Sequence, residues 1–186
     1  MQTSIEPVIS RTFNKAKAIN SLIFISNKIA NEQGISDKYT ALKILYFAEV
    51  KHLIKYGQLI TDDTIARLKH GSTPSSSYDL LKEKNSDGTF NIINNTNFKP
   101  NKDLDIEELS ESDIECLNEA ILENKDLNFS QLKSKAHDKA YNIAEKLNEK
   151  YVDLQYIFEQ ENLSESQIRF ITESYEFKRL TQCLPL

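Results

Sequence analysis

The chain has 186 residues, 39% of them hydrophobic and 27% charged, with a formal net charge of −5 at pH 7. That length suits one compact domain, or one domain with a terminal subdomain, and only 4 Gly and 4 Pro speak against an all-β protein of many tight turns and for long helices. No apolar run approaches the roughly 20 residues that cross a bilayer, and Met1–Arg11 has neither an apolar core nor a small-residue cleavage pattern, so the expectation is a soluble, intracellular, mainly α protein.

In chain order, the first predicted helix runs from about Thr12 to Glu32, with Phe13, Ala16, Ile19, Leu22, Ile23 and Ile29 at helical spacing and Gly34 as its stop. Ser36 then offers an N-cap for a helix over Asp37–Tyr56 closed by Gly57. Apolar residues nearly encircle this second helix, which places it at the centre of a bundle. Ile60–Asp63 reads as a turn, Thr64–Lys69 as a short strand or helical turn, and Pro74 as the first turn of a helix over Ser75–Lys84. Ser86-Asp87-Gly88 is a turn signal. Phe90–Ile93 is a candidate strand, paired with Thr64–Lys69 in a small ribbon, and Asn94–Lys102 reads as loop.

Ser110 and Asp113 resemble a capping box for a helix carrying Ile114, Leu117, Ile121 and Leu122 on its inner face. A short helix follows at about Phe129–Lys135. From Asp138, the residues Ala140, Ala144, Leu147, Tyr151, Leu154 and Phe158 form a heptad-like seam for intramolecular packing. Ser164 and Gln167 cap a last helix from Glu165 to about Thr181, with Pro185 beyond its end. The expected fold is therefore a mainly α, single-domain bundle of six or seven helices around the buried Asp37–Tyr56 helix, with at most a small two-stranded β ribbon. Leu42, Leu45, Tyr46, Leu53, Leu117, Leu147 and Ile171 are its expected core.

Charge divides the chain. Residues 1–84 hold 12 basic and 8 acidic side chains, while residues 85–186 hold 11 and 20. Such an acidic second half disfavours nucleic acid as the main partner, because phosphate repels it. The stretch 103–123 has nine acids and no base, which reads either as a solvated face or as a contact surface for a basic partner.

Catalytic patterns are sparse. Cys116 and Cys183 stand far apart, and His52, His70 and His137 lie in no HxxxH, HExxH or CxxC arrangement, so neither a disulfide framework nor a metal site is expected. The His70-Gly71-Ser72-Thr73-Pro74-Ser75 run lacks the GxSxG elbow, and no phosphate-cradling glycine loop occurs, so no cofactor is expected. An enzyme would need Tyr46, His52, His70 and Ser75 to converge in one pocket.

Lys43-Ile44-Leu45-Tyr46-Phe47-Ala48, then His52-Leu53 and Tyr56-Gly57, resembles the K-L-L-Y-F-A-x-x-x-H-L-x-x-Y-G signature of the Panacea antitoxin domain, the SocA-like antitoxins. Ile60-Thr61-Asp62-Asp63 is similar to its I-T-G-D turn, with Asp62 at the glycine position. Lys69-His70-Gly71 resembles the end of its A-x-K-x-G stretch, and Ser72–Ser75 stands where the family has P-V-P-S. Leu109–Asp113 resembles its L-S-E-x-D helix start, and Ser134–His137 with Ala140-Tyr141 its S-x-x-H…A-W element. The resemblance covers roughly residues 13–180. It implies a helical, non-catalytic, cytoplasmic antitoxin that neutralises a cognate protein toxin, encoded next to it, by direct contact. Some family members deliver the toxin to a protease. The alternative is an adaptor of phage or mobile-element origin without its own toxin.

Under this resemblance Tyr46, His52, Tyr56 and His137 are architectural landmarks, with Tyr46 in the core and His52 bonded to the Thr61–Gly71 connection. Recognition usually sits on loops held by a rigid scaffold. The candidate partner-binding residues are therefore Asp62, Arg67, Lys69, His70, Gly71, Pro74 and Ser75, which read equally as a capped turn that merely joins helices, with the acidic 103–123 stretch as the competing surface.

Overall fold

The computed structural model describes residues 9, 11–82 and 88–182. Cys183, Pro185 and the Ser86-Asp87 part of the expected turn lie outside the described residues, as does most of the amino-terminal segment.

Helix α1 spans Lys15–Ile29, where the Asn14 side chain accepts from the Lys17 amide. It ends well before Gly34, because Asn31 captures the Gln33 and Ile35 amides in a turn of its own. Helix α2 spans Lys38–Tyr56 and is capped by Asp37, not Ser36. Ser36 is buried instead, its hydroxyl 2.7 Å from that of Ser26 on α1. Gly57 closes α2 in the left-handed region, where a Cβ would fall 2.8 Å from Phe170 and from Ser174.

The β structure differs from the expected ribbon. Ile65–Leu68 (β2) pairs antiparallel with Gly71–Pro74 (β3), its immediate neighbour in sequence. Phe90–Ile92 (β4) pairs with Asn97–Pro100 (β5), which pairs in turn with the two-residue β1 at Ser36–Asp37. The Asn94 side chain accepts the Thr96 and Asn97 amides, and that Asx turn folds the chain back where a loop was expected. Pro74 is the N-cap of α3 (Ser75–Leu80), one residue ahead of its first turn.

The Ser110–Asp113 capping box forms as expected and starts α4 at Glu111–Asn124. Helix α5 spans Phe129–Ala136, and α8 spans Glu165–Gln182 behind the Ser164–Gln167 pair. The heptad-like seam does not survive as one helix. It splits into α6 (Lys139–Lys146) and α7 (Leu154–Gln160), giving eight α-helices among the described residues where six or seven were expected. Leu147 caps α6 and is 58% exposed, contrary to its assignment to the core, and Asn148 turns the chain at φ 55°. The intervening segment lies along the free edge of β2, with Arg67 N–H donating to Lys150 and Val152 N–H to Ile65. Ala140, Ala144, Leu154 and Phe158 remain buried, because α6 and α7 fold back on each other.

Helix α2 packs against α1, α4, α5, α8 and β3, as its all-round apolar pattern requires. Leu42, Leu45, Tyr46, Leu53, Leu117 and Ile171 are buried as expected.

Candidate functional site

Two charged side chains of α2 organise the segment that follows it. Lys43 is 1% exposed, and its Nζ donates to the carbonyls of Gly71 (2.8 Å) and Ser72 (2.7 Å) and to Thr73 Oγ1 (2.7 Å). This clamps β3 on the helix. Burial pulls the Lys43 ammonium down to about 7, with the Asp138 charge acting the other way. One and a half turns on, Glu49 is fully buried and accepts from the amides of Ile60 (2.6 Å) and Thr61 (3.1 Å) and from the Thr61 hydroxyl. Burial pushes its carboxyl up to about 8, while the Thr61 hydroxyl and the two amides pull it down. Asp63 completes the frame. Its oxygens accept the amides of Ser76 (2.9 Å) and Ser77 (2.7 Å), supplying the cap that Pro74 lacks a side chain to give.

The landmark residues have definite architectural roles. Tyr46 lies in the core and donates to Asp138 Oδ2 at 2.5 Å, and Asp138 in turn caps α6 through the Tyr141 amide. His52 does not reach the 61–71 connection. Its Nδ1 is 2.6 Å from the Gln58 carbonyl, and its Nε2 is 3.0 Å from Ser112 Oγ and 3.3 Å from Asp113. Gln58 directly follows the Gly57 cap of α2, so His52 ties the exit of α2 to the start of α4; burial lowers its pKa. Tyr56 donates to Glu115 at 2.7 Å. His137 stacks on Tyr141 with ring centroids 4.2 Å apart, and burial lowers its pKa first, followed by the charges of Lys133 and Lys43.

The seven candidate binding residues divide by exposure. Asp62, Gly71 and Pro74 are buried. Asp62 stands at φ 54° and pairs with Lys178 of α8, while a Cβ on Gly71 would fall 2.7 Å from that of Ala136. These three hold the connection and present no surface to a partner. Arg67 and Ser75 are half-buried, and Arg67 Nε donates to the Glu149 carbonyl at 2.6 Å. Only Lys69 and His70, at the tip of the β2–β3 hairpin, are exposed. The tip meets two rings that the sequence reading missed. His70 lies 5.3 Å edge-on from Phe129, which is 52% exposed, and Phe129 lies 4.6 Å from Tyr39. The Tyr39 hydroxyl donates to the His70 carbonyl at 3.0 Å and fixes the tip.

The competing acidic stretch is partly spent within the molecule. Lys55 pairs with Glu115 (3.0 Å) and Glu119 (2.5 Å), and Lys51 with Glu123 (2.7 Å). Glu107, Glu108 and Glu111 are exposed. Tyr46 bonds Asp138, His52 meets Gln58 and Ser112, and His70 packs on Phe129, and the cleft that Tyr46 lines includes none of His52, His70 and Ser75. No helix among the described residues is long and apolar enough to cross a membrane, and no group of three potential metal ligands occurs among them.

A family model, antitoxin SocA-like Panacea domain, matches residues 42–142, more than half of the chain. The chain belongs to the SocA-like Panacea antitoxin family. No match is found among curated proteins or among solved structures. The matched stretch of the Panacea domain holds all of the Lys43, Glu49 and Asp63 frame, the hairpin, α4 and α5. Helices α7 and α8 lie outside it, although α8 supplies Lys178 to Asp62. Lys43 and Glu49 could have been singled out from the sequence. A charge inside an otherwise apolar-ringed helix must find a buried partner. Tyr39 and Phe129 carried no such signal, being single aromatics 90 residues apart.

Proposed function

We propose that this Panacea domain neutralises a cognate protein toxin, encoded beside it, by direct protein contact and without catalysis. Family membership is the observation that carries the reading. The contact face we assign is the hairpin tip, Lys69 and His70, with the flanking rings of Tyr39 and Phe129. It contains the exposed pair among the candidate residues, the Lys43 clamp on β3 and the Tyr39 hydroxyl on the His70 carbonyl hold it, and it offers aromatic anchors of the kind that dominate interface energetics. The partner is a protein, since the acidic surplus of the chain repels nucleic acid.

Co-expression with the product of the adjacent gene, scored for growth and for co-purification, tests this. The wild type should restore growth and retain the toxin. A Lys69→Glu/Phe129→Ala variant, shown to be folded, should lose both, while a Glu107→Lys/Glu111→Lys variant should keep them. The opposite ranking moves the interface to the start of α4. Loss of toxin from the cell when the Panacea domain is present would indicate delivery to a protease instead of blocking.

A further inference from the structure

Beside α2 a cleft of about 290 Å³ opens, with Phe47, Val50 and Ile54 as its apolar floor and residues of α4, α5 and α7 with the Asp138 cap of α6 as its rim. That volume is near the lower end of ligand pockets, which hold roughly 300 Å³ and more. The charges on its rim are unevenly matched. At one end, Glu123 serves two lysines, Lys51 at 2.7 Å and Lys135 at 3.6 Å, and Lys135 also donates to Asn124 at 2.7 Å. At the other end stand Asp138 and Glu161. Neither carboxylate has an ion-pair partner among the described residues, and the neighbouring Lys139 is turned to Glu159 at 3.1 Å. Lys43 acts on Asp138 electrostatically, but its protons go to the hairpin carbonyls. Burial, together with the charge of Glu161, holds the Asp138 carboxyl above its ordinary range despite the Tyr46 hydroxyl and the Tyr141 amide. The Phe47 ring already carries a cation, with Lys135 Nζ 4.7 Å from its centroid.

Asp138 takes its hydrogen bonds from Tyr46 and Tyr141 and Glu161 accepts from the Gln160 amide at 3.0 Å, all neutral donors. An apolar floor leading to two carboxylates that no lysine or arginine bridges complements a long side chain with a positive head. We propose that this cleft receives an arginine or lysine side chain of the toxin, its aliphatic stem on Phe47, Val50 and Ile54 and its charge between Asp138 and Glu161. The inference rests on the antitoxin reading above and adds a second anchor, lined by Lys135 of α5, besides Phe129 at the start of the same helix.

Two measurements test it. In the first, isotope-labelled protein is titrated with N-acetyl-arginine amide and, separately, with N-acetyl-glutamate amide, followed by NMR. The arginine probe should shift Phe47, Val50 and Ile54, weaken with salt and fail on Glu161→Lys, while the glutamate probe leaves these residues still. Equal response to both probes, or none to arginine, overturns the proposal. In the second, affinity for the toxin is compared among wild type, Glu161→Lys and Glu32→Lys, an equal charge change at an exposed site outside the cleft. Glu161→Lys should lose on the order of tenfold or more and Glu32→Lys almost nothing. Should Glu161→Lys fail to fold, Glu161→Gln takes its place. Unchanged affinity in the Glu161 variant overturns the cleft and leaves the antitoxin reading intact, whereas a wild type that binds no toxin overturns both.

Discussion

Lys43 and Glu49 sit two turns or less apart on one helix, both out of water, and both titrate far from their ordinary ranges for the same reason. Their effects on stability have opposite signs. The native state holds the Glu49 proton up to about 8, so between the ordinary carboxylate range and pH 8 it binds more protons than the unfolded chain, and this group's contribution falls as pH rises. Lys43 loses its proton near 7 in the native state and much later in the unfolded one, so its contribution rises with pH above about 7. A Glu49→Gln variant mimics the protonated acid. Its stability relative to wild type should therefore climb as pH is raised from about 5 to about 8, read from urea unfolding at each pH. A constant difference would show that Glu49 is ionised throughout. Gly71 offers a second test at this scale. At φ 96° and with Ala136 in the way, Gly71→Ala meets backbone strain and a clash together, and should cost about 1–3 kcal/mol in denaturant unfolding.

At the scale of elements, the connection after α2 is held from both sides. The Lys43 clamp and the Asp63 cap fix it from within the family-matched region. From outside that region, α8 reaches over it. Leu59 N–H donates to the Tyr175 hydroxyl at 2.8 Å, Gln58 donates to the Ser174 carbonyl at 3.1 Å, and Lys178 pairs with Asp62. Tyr175→Phe removes an acceptor and leaves the buried Leu59 amide unsatisfied, a loss of about 1–3 kcal/mol. If α8 is essential to the fold of this connection, amide exchange at Leu59, Ile60 and Thr61 should accelerate in that variant. Unchanged exchange would show that the clamp from α2 suffices.

At the scale of the whole molecule, one helix touches nearly every layer, so α1, α4, α5, α8 and the hairpin share one core through α2. Unfolding should be a single cooperative transition, with far-ultraviolet dichroism and the near-ultraviolet signal of the 8 tyrosines coinciding. The chain has no Trp to report otherwise. An earlier transition in the tyrosine signal would separate α7–α8, which carry Tyr156 and Tyr175, from the rest.

The sequence by itself determined the helices whose ends carry their own caps and the helix ringed by apolar side chains. The Ser110–Asp113 box and the Gly57 stop act within a few residues, and the burial of Leu45, Tyr46 and Leu53 follows from periodicity alone. Tertiary structure decided the rest, because it turned on competition between distant segments. Residues 147–153 satisfy the free edge of β2 at the expense of a continuous helix, which is why Leu147 is exposed. Phe90–Ile92 finds its partner across an Asx turn close by, since closing that short loop costs less entropy than reaching back to β2. The candidate surface was legible only as a segment. Which of its residues face water depended on Lys43, Ala136 and Lys178 arriving from other helices, and the rings that complete it, Tyr39 and Phe129, meet only when α2 and α5 pack.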